Sequence, residues 1–484
     1  MSDTAQARAY PREVGPYIDG ELHPAGTTTE VRDPYRGDLA ARVGATDAVG
    51  VGRAVASAAE AQPTLAAMPT YERAAILRRA ADLIAERVDA LAETITRQTG
   101  KVLRDTRREC SRTPWTFRAA ATAAEALEGR LYQADAMPNG EGVTAMAIRQ
   151  PVGVVAAVTP FNAPLNLAAH KVAPAIAAGN SIVVKPASPA PLSVFDLADI
   201  LTEAGLPAGA FNIVPGGPET GSALVSHPTV ALITFTGGPQ AGEAIRQRAG
   251  FRRVLLELGG NSPNLVHHDA NLTQAVTQCL RGGFANGGQS CNSVQRILVH
   301  RDVRQSFTEE LVSAVDKLVT GDPLDPATEV GPVVSEESAE RVVSWVADAA
   351  GAGAAVLAGG TRDGALIAPT VVADAPSTCQ LYTDEIFAPV VLVNEYSHLD
   401  EAIEMANSTV YGLQSGVFTS DLDVAFEAGR RIRTGGVMIN RSSNFRLDHL
   451  PYGGVGDSGM GREGPEAAVE EMTELKLMVM APSR

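Results

Sequence analysis

Hydrophobic residues follow two different periods along the chain. Between Glu72 and Gln98 they recur every three or four positions, which predicts one long amphipathic helix that ends at Gly100. After Pro151 the pattern changes to short runs of apolar, often β-branched residues, beginning with VGVVAAV. Such runs are typical of strands that are covered on both faces, so we expect an α/β region from this point onward.

These apolar runs alternate with helical segments. The predicted strands NSIVVK, AFNIV and VALITFT are separated by the predicted helices PLSVFDLADILTEA and TGSALVS, and this spacing predicts a doubly wound parallel sheet. A second series starts after Leu258 with the predicted strands SPNLVH and SVQRILVH, and it continues with strands around Val371 and at 390–393. Helices are expected through Cys279 and at 307–319, so the second series predicts a second α/β domain.

The segment 131–149 interrupts this alternation. It is polar, and Asn139-Gly140 is a turn signal between two runs that resemble strands. The segment is therefore predicted to form a protruding hairpin arm.

Composition and charge narrow the class of protein. A length of 484 residues corresponds to about three domains of ~150 residues, although large α/β enzymes often place such a length in two. With 45% apolar and 20% charged residues, the chain is expected to fold. No apolar run approaches the ~18 residues that would span a bilayer. A net charge of −16 without a basic patch argues against nucleic acid and anionic membranes as partners.

The N-terminal segment MSDTAQARAYPREVG has no apolar stretch of the kind found in signal peptides, and the final APSR is not a recognised address. The cytoplasm is therefore the expected location.

The cysteines point to one candidate nucleophile. There are four, Cys110, Cys279, Cys291 and Cys379, and they form no CxxC pair, so neither a disulfide framework nor a metal site is expected. Only Cys291 stands in a glycine-rich loop, GGQSCNS, just before a predicted strand, where a thiol is accessible. Considered alone, such a residue could equally be an incidental loop cysteine.

Two further polar residues follow predicted strands, where ligands bind in α/β proteins. Glu257 ends the run RRVLLE and precedes Gly-Gly; the alternative is a glutamate that faces solvent. Asn162 lies in TPFNAP, where its amide could donate a hydrogen bond to an oxyanion; the alternative is a turn residue. The glycine runs GGPETG and FTGG could hold phosphate, but each is a weak signal because the GxGxxG fingerprint is absent.

Seven motifs taken together resemble those of the aldehyde dehydrogenase superfamily in order and spacing, over nearly the whole chain. They are TPFNAP, IVVKPA, FTGG, LELGGNSP, GGQSCNSVQR, DEIFAPV and PYGGVGDSGMGREG. The resemblance implies an α/β fold with a Rossmann-type cofactor domain (1–130 and 150–258), an α/β catalytic domain (259–440) and a small β oligomerisation element (131–149 and 465–484). It also implies a homodimer or homotetramer in which the C-terminal strand TELKLMVM pairs with a neighbouring subunit.

The resemblance further implies oxidation of an aldehyde to a carboxylic acid through a cysteine thiohemiacetal and a thioester. Cys291 would be the nucleophile, Asn162 the oxyanion donor together with the Cys291 backbone N–H, and Glu257 the base that activates water. Relatives that transfer the acyl group to coenzyme A generally lack this glutamate, so hydrolysis is favoured. The alternatives are a coenzyme A-acylating semialdehyde dehydrogenase, a thiol esterase, or a binding protein that keeps the fold without the chemistry.

The cofactor implied by the resemblance is NADP or NAD. Ser188 stands where many NAD-specific members carry a glutamate, so a carboxylate that would repel a 2′-phosphate is missing and NADP is slightly preferred. The implied cofactor-binding residues are Thr159, Pro160, Phe161, Lys185, Ser188, Gly221, Phe235, Thr236, Gly237, Gly238, Leu258, Glu385 and Phe387.

The implied substrate pocket is small and polar. Its residues are Ala163, Asn166, Leu167, His170, Ser290 and Asn292, with Arg446 beside them. This set favours a small polar or anionic aldehyde over an aromatic or aliphatic one. Two alternatives stay open: His170 could be a hydrogen-bonded core histidine, and Arg446 could pair with Asp448 instead of a substrate anion. Ser290 argues against a phosphorylated substrate, because phosphate-specific relatives often carry arginine at that position.

Overall fold

The computed structural model describes residues 10–481. The first nine residues of the predicted cofactor domain and the last three of the predicted terminal element lie outside these described residues. Within them, no helix combines the length and the apolar character needed to cross a bilayer.

Helices and strands alternate through most of the chain. The helices are α1 (Ala48–Ala67), α2 (Thr70–Glu86), α3 (Val88–Thr99), α4 (Leu103–Ala126), α5 (Asn166–Ala177), α6 (Leu192–Glu203), α7 (Pro218–Ser226), α8 (Pro239–Ala249), α9 (Leu272–Phe284), α10 (Arg301–Val315), α11 (Glu336–Gly351), α12 (Gln380–Thr383), α13 (Leu399–Ala406), α14 (Leu422–Arg431) and α15 (Pro465–Glu471).

The strands are β1 (Arg12–Val14), β2 (Tyr17–Ile18), β3 (Glu21–Leu22), β4 (Thr28–Arg32), β5 (Leu39–Gly44), β6 (Arg130–Tyr132), β7 (Thr144–Pro151), β8 (Val154–Val158), β9 (Ser181–Lys185), β10 (Phe211–Ile213), β11 (Val230–Thr236), β12 (Arg253–Glu257), β13 (Ser262–Val266), β14 (Val294–His300), β15 (Ala355–Ala358), β16 (Arg362–Asp363), β17 (Leu366–Ile367), β18 (Thr370–Ala373), β19 (Val390–Tyr396), β20 (Gln414–Phe418), β21 (Gly436–Ile439), β22 (Gly459–Met460) and β23 (Thr473–Met480).

The larger sheet confirms the predicted doubly wound topology. Its strands lie in the order β22-β12-β11-β8-β9-β10-β2-β3, with parallel pairing from β12 to β10. The chain runs from β8 outward to β10 and then returns to place β11 on the other side of β8. The strand order therefore reverses between β8 and β11, and a crevice for a ligand forms at the carboxyl ends of such strands.

A second sheet has the order β15-β18-β19-β14-β13-β20-β21 and is parallel except for β15. It confirms the second α/β series. The two sheets are linked by the short turn between β12 and β13, and the chain later returns to the first sheet when β22 pairs with β12. The domain boundaries given above stay predictions, but the residues assigned to the two domains do fall in separate sheets.

The prediction of one helix from Glu72 to Gln98 is wrong. Two helices, α2 and α3, meet at Arg87, whose φ of −112° and ψ of 16° are not helical, while the predicted end at Gly100 is confirmed by a left-handed φ of 72°. Leu77 and Ile84 before the break and Leu91 after it belong to the same hydrophobic core. Because both helices bury residues in this core, the apolar period continues across the break, and the sequence pattern does not reveal it.

The hairpin arm is confirmed, and the C-terminal strand lies beside it. Strands β6 and β7 pair antiparallel, and β23 pairs along the other edge of β7, from Thr473 opposite Pro151 to Met480 opposite Thr144. The partner of β23 within the described residues is thus the arm of its own chain. Its outer edge has no strand partner in that part of the chain, and Leu475, Leu477 and Val479 are exposed along it. Pairing with a neighbouring subunit stays a prediction.

Candidate active site

Cys291 lies in the loop between α9 and β14, beside the turn that follows β12. A Cβ atom added to Gly260 in that turn would lie only 2.1 Å from the Cys291 carbonyl oxygen, so only glycine allows the two segments to approach so closely. The Cys291 Sγ atom is 3.1 Å from the hydroxyl oxygen of Tyr452. Burial raises the thiol pKa to about 12, whereas the hydrogen bond from Tyr452 opposes this increase.

Asn162 follows β8 and lies next to the cysteine loop. The side-chain amide of Asn162 donates to the Gln289 backbone carbonyl at 3.0 Å. The backbone carbonyl of Asn162 accepts hydrogen bonds from Lys101 Nζ at 3.1 Å and from the side-chain amide of Asn286 at 3.0 Å. The amide nitrogen carries a second hydrogen, for which the structure shows no acceptor among residues 10–481. That hydrogen is available for a substrate oxygen.

Glu257 ends β12, where it pairs with Gly459 of β22, and its side chain is buried. Its Oε2 atom has no hydrogen-bond partner in the described chain. A Cβ atom on Gly453 would lie 2.9 Å from Oε1, so a glycine at that position keeps space for the carboxyl group. Burial raises the pKa of Glu257 well above its ordinary value, and the negative charge of Glu463 raises it further. A carboxyl group with a raised pKa is suited to act as a general base near neutral pH.

A buried ionic network lies behind these residues. Lys171 Nζ contacts Glu463 at 2.8 Å, and Arg446 contacts the other oxygen of Glu463 at 3.2 Å. Although burial opposes ionisation, the charges of Lys171 and Arg446 lower the pKa of Glu463, which is therefore held as a carboxylate. The ion-pair partner of Arg446 is thus Glu463, and the alternative of a pair with Asp448 is wrong.

Asp448 belongs to the same network but has other partners. It accepts two hydrogen bonds from Arg112, at 3.0 and 2.7 Å, and it contacts His170 Nε2 at 3.2 Å. His170 is buried and also contacts Arg446, at 3.3 Å. Its burial lowers its pKa. His170 does not line the cavity described next, and its position fits the alternative of a hydrogen-bonded core histidine.

A cavity of about 130 Å³ opens in front of Cys291. The expected pocket residues Ala163, Asn166, Leu167, Ser290, Asn292 and Arg446 line it, together with Asn162. Sequence reasoning missed the remaining lining residues, which are Lys101, Asp105, Arg108, Glu109, Arg112, Ala285, Asn286, Asn444 and Tyr452. Several of them are on α4. The spacing of Arg108 and Arg112 by one helical turn, in the run RRECSR, was an available signal that both lie on one helix face.

The cations of this cavity differ in how they are paired. Lys101 contacts Glu109 at 2.7 Å, while Arg112 and Arg446 have the carboxylate partners described above. Arg108 has no ion-pair or hydrogen-bond partner within residues 10–481, and much of its side chain is exposed. Partial burial and the neighbouring charges of Arg281 and Arg112 lower its pKa. These arginine charges repel one another, and an anion in the cavity would reduce that repulsion.

The crevice between β8 and β11 brings most of the expected cofactor residues together. Thr159, Pro160 and Phe161 follow β8, Phe235 and Thr236 end β11, and Gly237 and Gly238 lead into α8. Leu258 follows β12 and donates its backbone N–H to the Ser458 carbonyl. The hydroxyl oxygens of Thr159 and Thr236 are buried without a hydrogen-bond partner in the described chain. Unpartnered polar groups at this crevice fit a polar ligand there.

Lys185 on β9 and Gly221 on α7 lie next to each other. Lys185 ends β9, donates to the Pro186 carbonyl at 3.0 Å, and has a pKa that burial lowers to about 8. A Cβ atom on Gly221 would lie 3.3 Å from the Lys185 side chain, so the helix and the lysine are closely packed. Ser188 is exposed and donates to the Gly216 carbonyl at 3.2 Å. It lines a groove of about 410 Å³ that also contains the ion pair of Arg32 and Glu30, at 2.6 Å, which sequence reasoning missed.

Glu385 and Phe387 come from the second sheet and meet residues of the first. Glu385 Oε1 accepts a hydrogen bond from the Gly260 backbone N–H at 2.9 Å, and burial raises its pKa to about 7. The Phe387 ring packs edge-on against Phe161, with the ring centres 5.8 Å apart. Residues of the second sheet thus meet the first sheet at two points, Glu385 at Gly260, which also approaches the Cys291 carbonyl, and Phe387 at Phe161.

Known proteins are similar to this chain in sequence and in fold. The model of the Aldehyde dehydrogenase family matches residues 22–478. A 3-sulfolactaldehyde dehydrogenase of Priestia aryabhattai is 41% identical, over 99% of this chain and 100% of its own. The crystal structure of aldehyde dehydrogenase 21 from Physcomitrella patens in complex with the reaction product succinate has a TM-score of 0.95 and 39% identity, over 98% of this chain and 99% of its own.

A third similar protein is glyceraldehyde-3-phosphate dehydrogenase GapN from Methanocaldococcus jannaschii, whose structure is complexed with NADP. It has a TM-score of 0.90 and 38% identity, over 94% of this chain and 99% of its own.

Proposed function

The chain belongs to the aldehyde dehydrogenase family and is an NAD(P)-dependent oxidoreductase, and from this premise we propose that it oxidises a small anionic or polar aldehyde to the carboxylic acid. The observation that carries the choice of substrate is Arg108, a cation that lines the cavity in front of Cys291 and has no partner in the described chain. The other cavity cations are already paired with carboxylates. Arg108 is therefore free to pair with a charged group at the far end of a short aldehyde.

In the proposed reaction, the Cys291 thiolate attacks the aldehyde carbon and forms a C–S bond. The oxygen of the resulting thiohemiacetal accepts hydrogen bonds from the free amide N–H of Asn162 and the backbone N–H of Cys291. When bound, the nicotinamide cofactor would accept the hydride from the former aldehyde carbon, so that the C–H bond breaks and a thioester remains. Glu257 then takes a proton from a water that attacks the thioester carbon, the C–S bond breaks, and the carboxylic acid leaves the regenerated thiol.

Hydrolysis is favoured over transfer to coenzyme A by the environment of Glu257. Its Oε2 atom has no partner in the described residues, and its raised pKa matches that of a base that exchanges protons near neutral pH. A carboxylate held only for structure would be expected to have its oxygens hydrogen-bonded.

The cofactor residues fit NADP as well as NAD. Within residues 10–481, the hydroxyls of Thr159 and Thr236 have no hydrogen-bond partner. Lys185 ends the neighbouring strand β9, and Glu385 and Phe387 approach from the second sheet. Ser188 places no carboxylate in the outer groove, where Arg32 is paired with the Glu30 carboxylate at 2.6 Å, so a 2′-phosphate meets no direct repulsion from residue 188. NADP complexed with the Methanocaldococcus relative is consistent with this preference.

The relatives support an anionic substrate. One relative is a 3-sulfolactaldehyde dehydrogenase, another was crystallised with its reaction product succinate, and both compounds carry an anionic group at the end of a short carbon chain. A cavity in which Arg108 has no carboxylate partner among residues 10–481 suits such a group.

A homodimer or homotetramer also belongs to the proposal, because exposed apolar residues on β23 border a strand edge that is unpaired within the described chain.

Steady-state reduction of NADP and NAD across an aldehyde panel tests the proposal. The panel contains 3-sulfolactaldehyde, succinate semialdehyde, lactaldehyde, benzaldehyde and hexanal. We expect kcat/KM for the two anionic aldehydes to exceed that for benzaldehyde and hexanal by at least about tenfold, since one charge-assisted hydrogen bond contributes about 1.5–3 kcal/mol. A preference for benzaldehyde or hexanal would contradict the substrate class. Product release that requires coenzyme A would contradict hydrolysis.

A further inference from the structure

We propose that Tyr452 is a further catalytic residue, whose phenol donates the hydrogen bond that stabilises the Cys291 thiolate. This inference rests on the proposed role of Cys291 as the nucleophile. Tyr452 lies in the motif PYGG, and the resemblance to the family implied no role for it.

The geometry places the hydroxyl directly against the sulfur. The Tyr452 oxygen lies 3.1 Å from Cys291 Sγ, and within residues 10–481 the structure shows no other hydrogen-bond partner for this hydroxyl. A buried phenol needs an acceptor for its hydrogen, and here the sulfur is the acceptor that the protein offers. When Cys291 ionises, its sulfur loses its own hydrogen and can only accept, so the direction of the hydrogen bond becomes fixed.

The position of Tyr452 is fixed by its backbone and by its ring. Its backbone N–H donates to the Glu463 carbonyl at 2.8 Å, and the Glu463 N–H donates back at 2.7 Å. The Arg446 guanidinium stacks over the ring, with its central carbon 3.8 Å from the ring centre. This cation on the ring face favours a more acidic phenol and therefore a stronger donor. The hydroxyl is thus held before the thiolate forms.

The surroundings explain why the thiolate needs such a donor. Burial disfavours the ionised sulfur, and the structure supplies Tyr452 and the charge of Arg446 as the main opposing influences. Burial and the nearby sulfur raise the pKa of Tyr452 well above its ordinary value, so the phenol keeps its proton. The thiol releases its proton to solvent, and Tyr452 contributes a hydrogen bond to an ionised acceptor, which is about twice as strong as one between neutral groups.

The test is the pH dependence of Cys291 alkylation in the Tyr452→Phe variant. The full-length enzyme without substrate is treated with iodoacetamide, and modification of each cysteine is followed by mass spectrometry. We expect the midpoint for Cys291 to rise by about one pH unit or more in the variant, together with an approximately tenfold fall in kcat/KM. Cys379, which is partly exposed, serves as the internal reference. Tyr396→Phe is the matched control, because Tyr396 is a buried tyrosine that hydrogen-bonds His267 in the second sheet.

A second measurement does not depend on the Phe variant folding. Replacement of tyrosine by 3-fluorotyrosine throughout the protein makes each phenol more acidic, and we expect the Cys291 midpoint to move in the opposite direction, to lower pH. An unchanged Cys291 midpoint in folded Tyr452→Phe, or no shift with 3-fluorotyrosine, would overturn the hydrogen bond. Turnover by Cys291→Ala would instead refute the proposed function, and with it the catalytic role of Tyr452, whatever the alkylation midpoint shows.

Discussion

The substrate cavity and the cofactor crevice are lined by different kinds of residues. The cavity is lined by charged side chains, among them Lys101, Arg108, Arg112 and Arg446. The crevice is formed by strand ends, glycines and short hydroxyl side chains, with Lys185, Glu385 and Phe387 beside them. Strand ends and tight turns are set by the fold, whereas charged side chains on a helix surface can differ from one chain to the next. The cavity should therefore determine which aldehyde is oxidised, and the crevice which cofactor is used.

The largest effect is expected at Glu257, which lies between the two regions. In Glu257→Gln we expect steady-state kcat to fall by about 10²–10⁴, the usual contribution of a general base. The first turnover should survive, because hydride transfer precedes the step that needs the base. Stopped-flow absorbance should therefore show a burst of reduced cofactor followed by slow turnover.

The pH profile of kcat provides the control for this interpretation. The pKa of Glu257 is raised, so the group is protonated at low pH and becomes a base as the pH increases. The wild-type kcat should rise with pH on the acid side, and this limb should disappear in the Gln variant. A variant without a burst, or with the limb intact, would show that Glu257 does not serve as the base for deacylation.

A smaller effect, confined to substrate binding, is expected at Arg108. Arg108→Ala should raise KM for an anionic aldehyde by about tenfold and leave KM for a neutral one unchanged, since a partly exposed charge-assisted contact contributes about 1.5 kcal/mol. Added salt should reduce the difference between wild type and variant. Arg107→Ala is the matched control, because Arg107 is the adjacent arginine of α4 and its side chain pairs with Asp89 in solvent. Equal changes for both aldehydes would remove Arg108 from substrate binding.

Substitution of Arg108 tests anion binding in the cavity more specifically than substitution of Arg446. The Arg446 side chain also holds Glu463 and stacks on Tyr452, so its removal would change the reaction of neutral aldehydes as well.

The smallest effect is expected in the cofactor groove. Ser188→Glu should raise KM for NADP by about fivefold relative to NAD, because two charges at about 4 Å in water repel each other by about 1 kcal/mol. The two cofactors are compared at saturating aldehyde, and KM for the aldehyde should not change. A larger effect on NAD than on NADP would show that Ser188 does not lie near the 2′ position.

The difference between the substrate cavity and the cofactor crevice also explains what the sequence could and could not predict. Strand ends and the residues that follow them have fixed places in a βαβ unit, so Asn162 and Glu257 are candidates from local patterns, whereas Lys185 was implied only by the resemblance to the family. The cavity depends on α4, whose sequence places Arg108 and Arg112 on one helix face but does not show what that face meets. Arg108 becomes a candidate only when the packing of α4 against α5 brings it beside Cys291.

One alternative and one prediction do not survive in the structure. Arg446 and Asp448 are two residues apart, which left an ion pair between them open, yet Asp448 pairs with Arg112 and Arg446 with Glu463. The partner of Asp448 is distant in the sequence. The helix break at Arg87 was missed because the apolar period is the same on both sides of it.

The return of the C-terminal segment to the first sheet has a consequence for biosynthesis. Cys291, Glu257 and Asn162 are all translated well before Tyr452, before β22, which pairs with Glu257, and before Glu463, which neutralises Lys171. Domains of a growing chain fold from the N-terminus as they leave the ribosome. A nascent chain that does not yet extend past Glu463 therefore carries the nucleophile without its assembled surroundings, and the site is completed only after residues 452–463 have been translated.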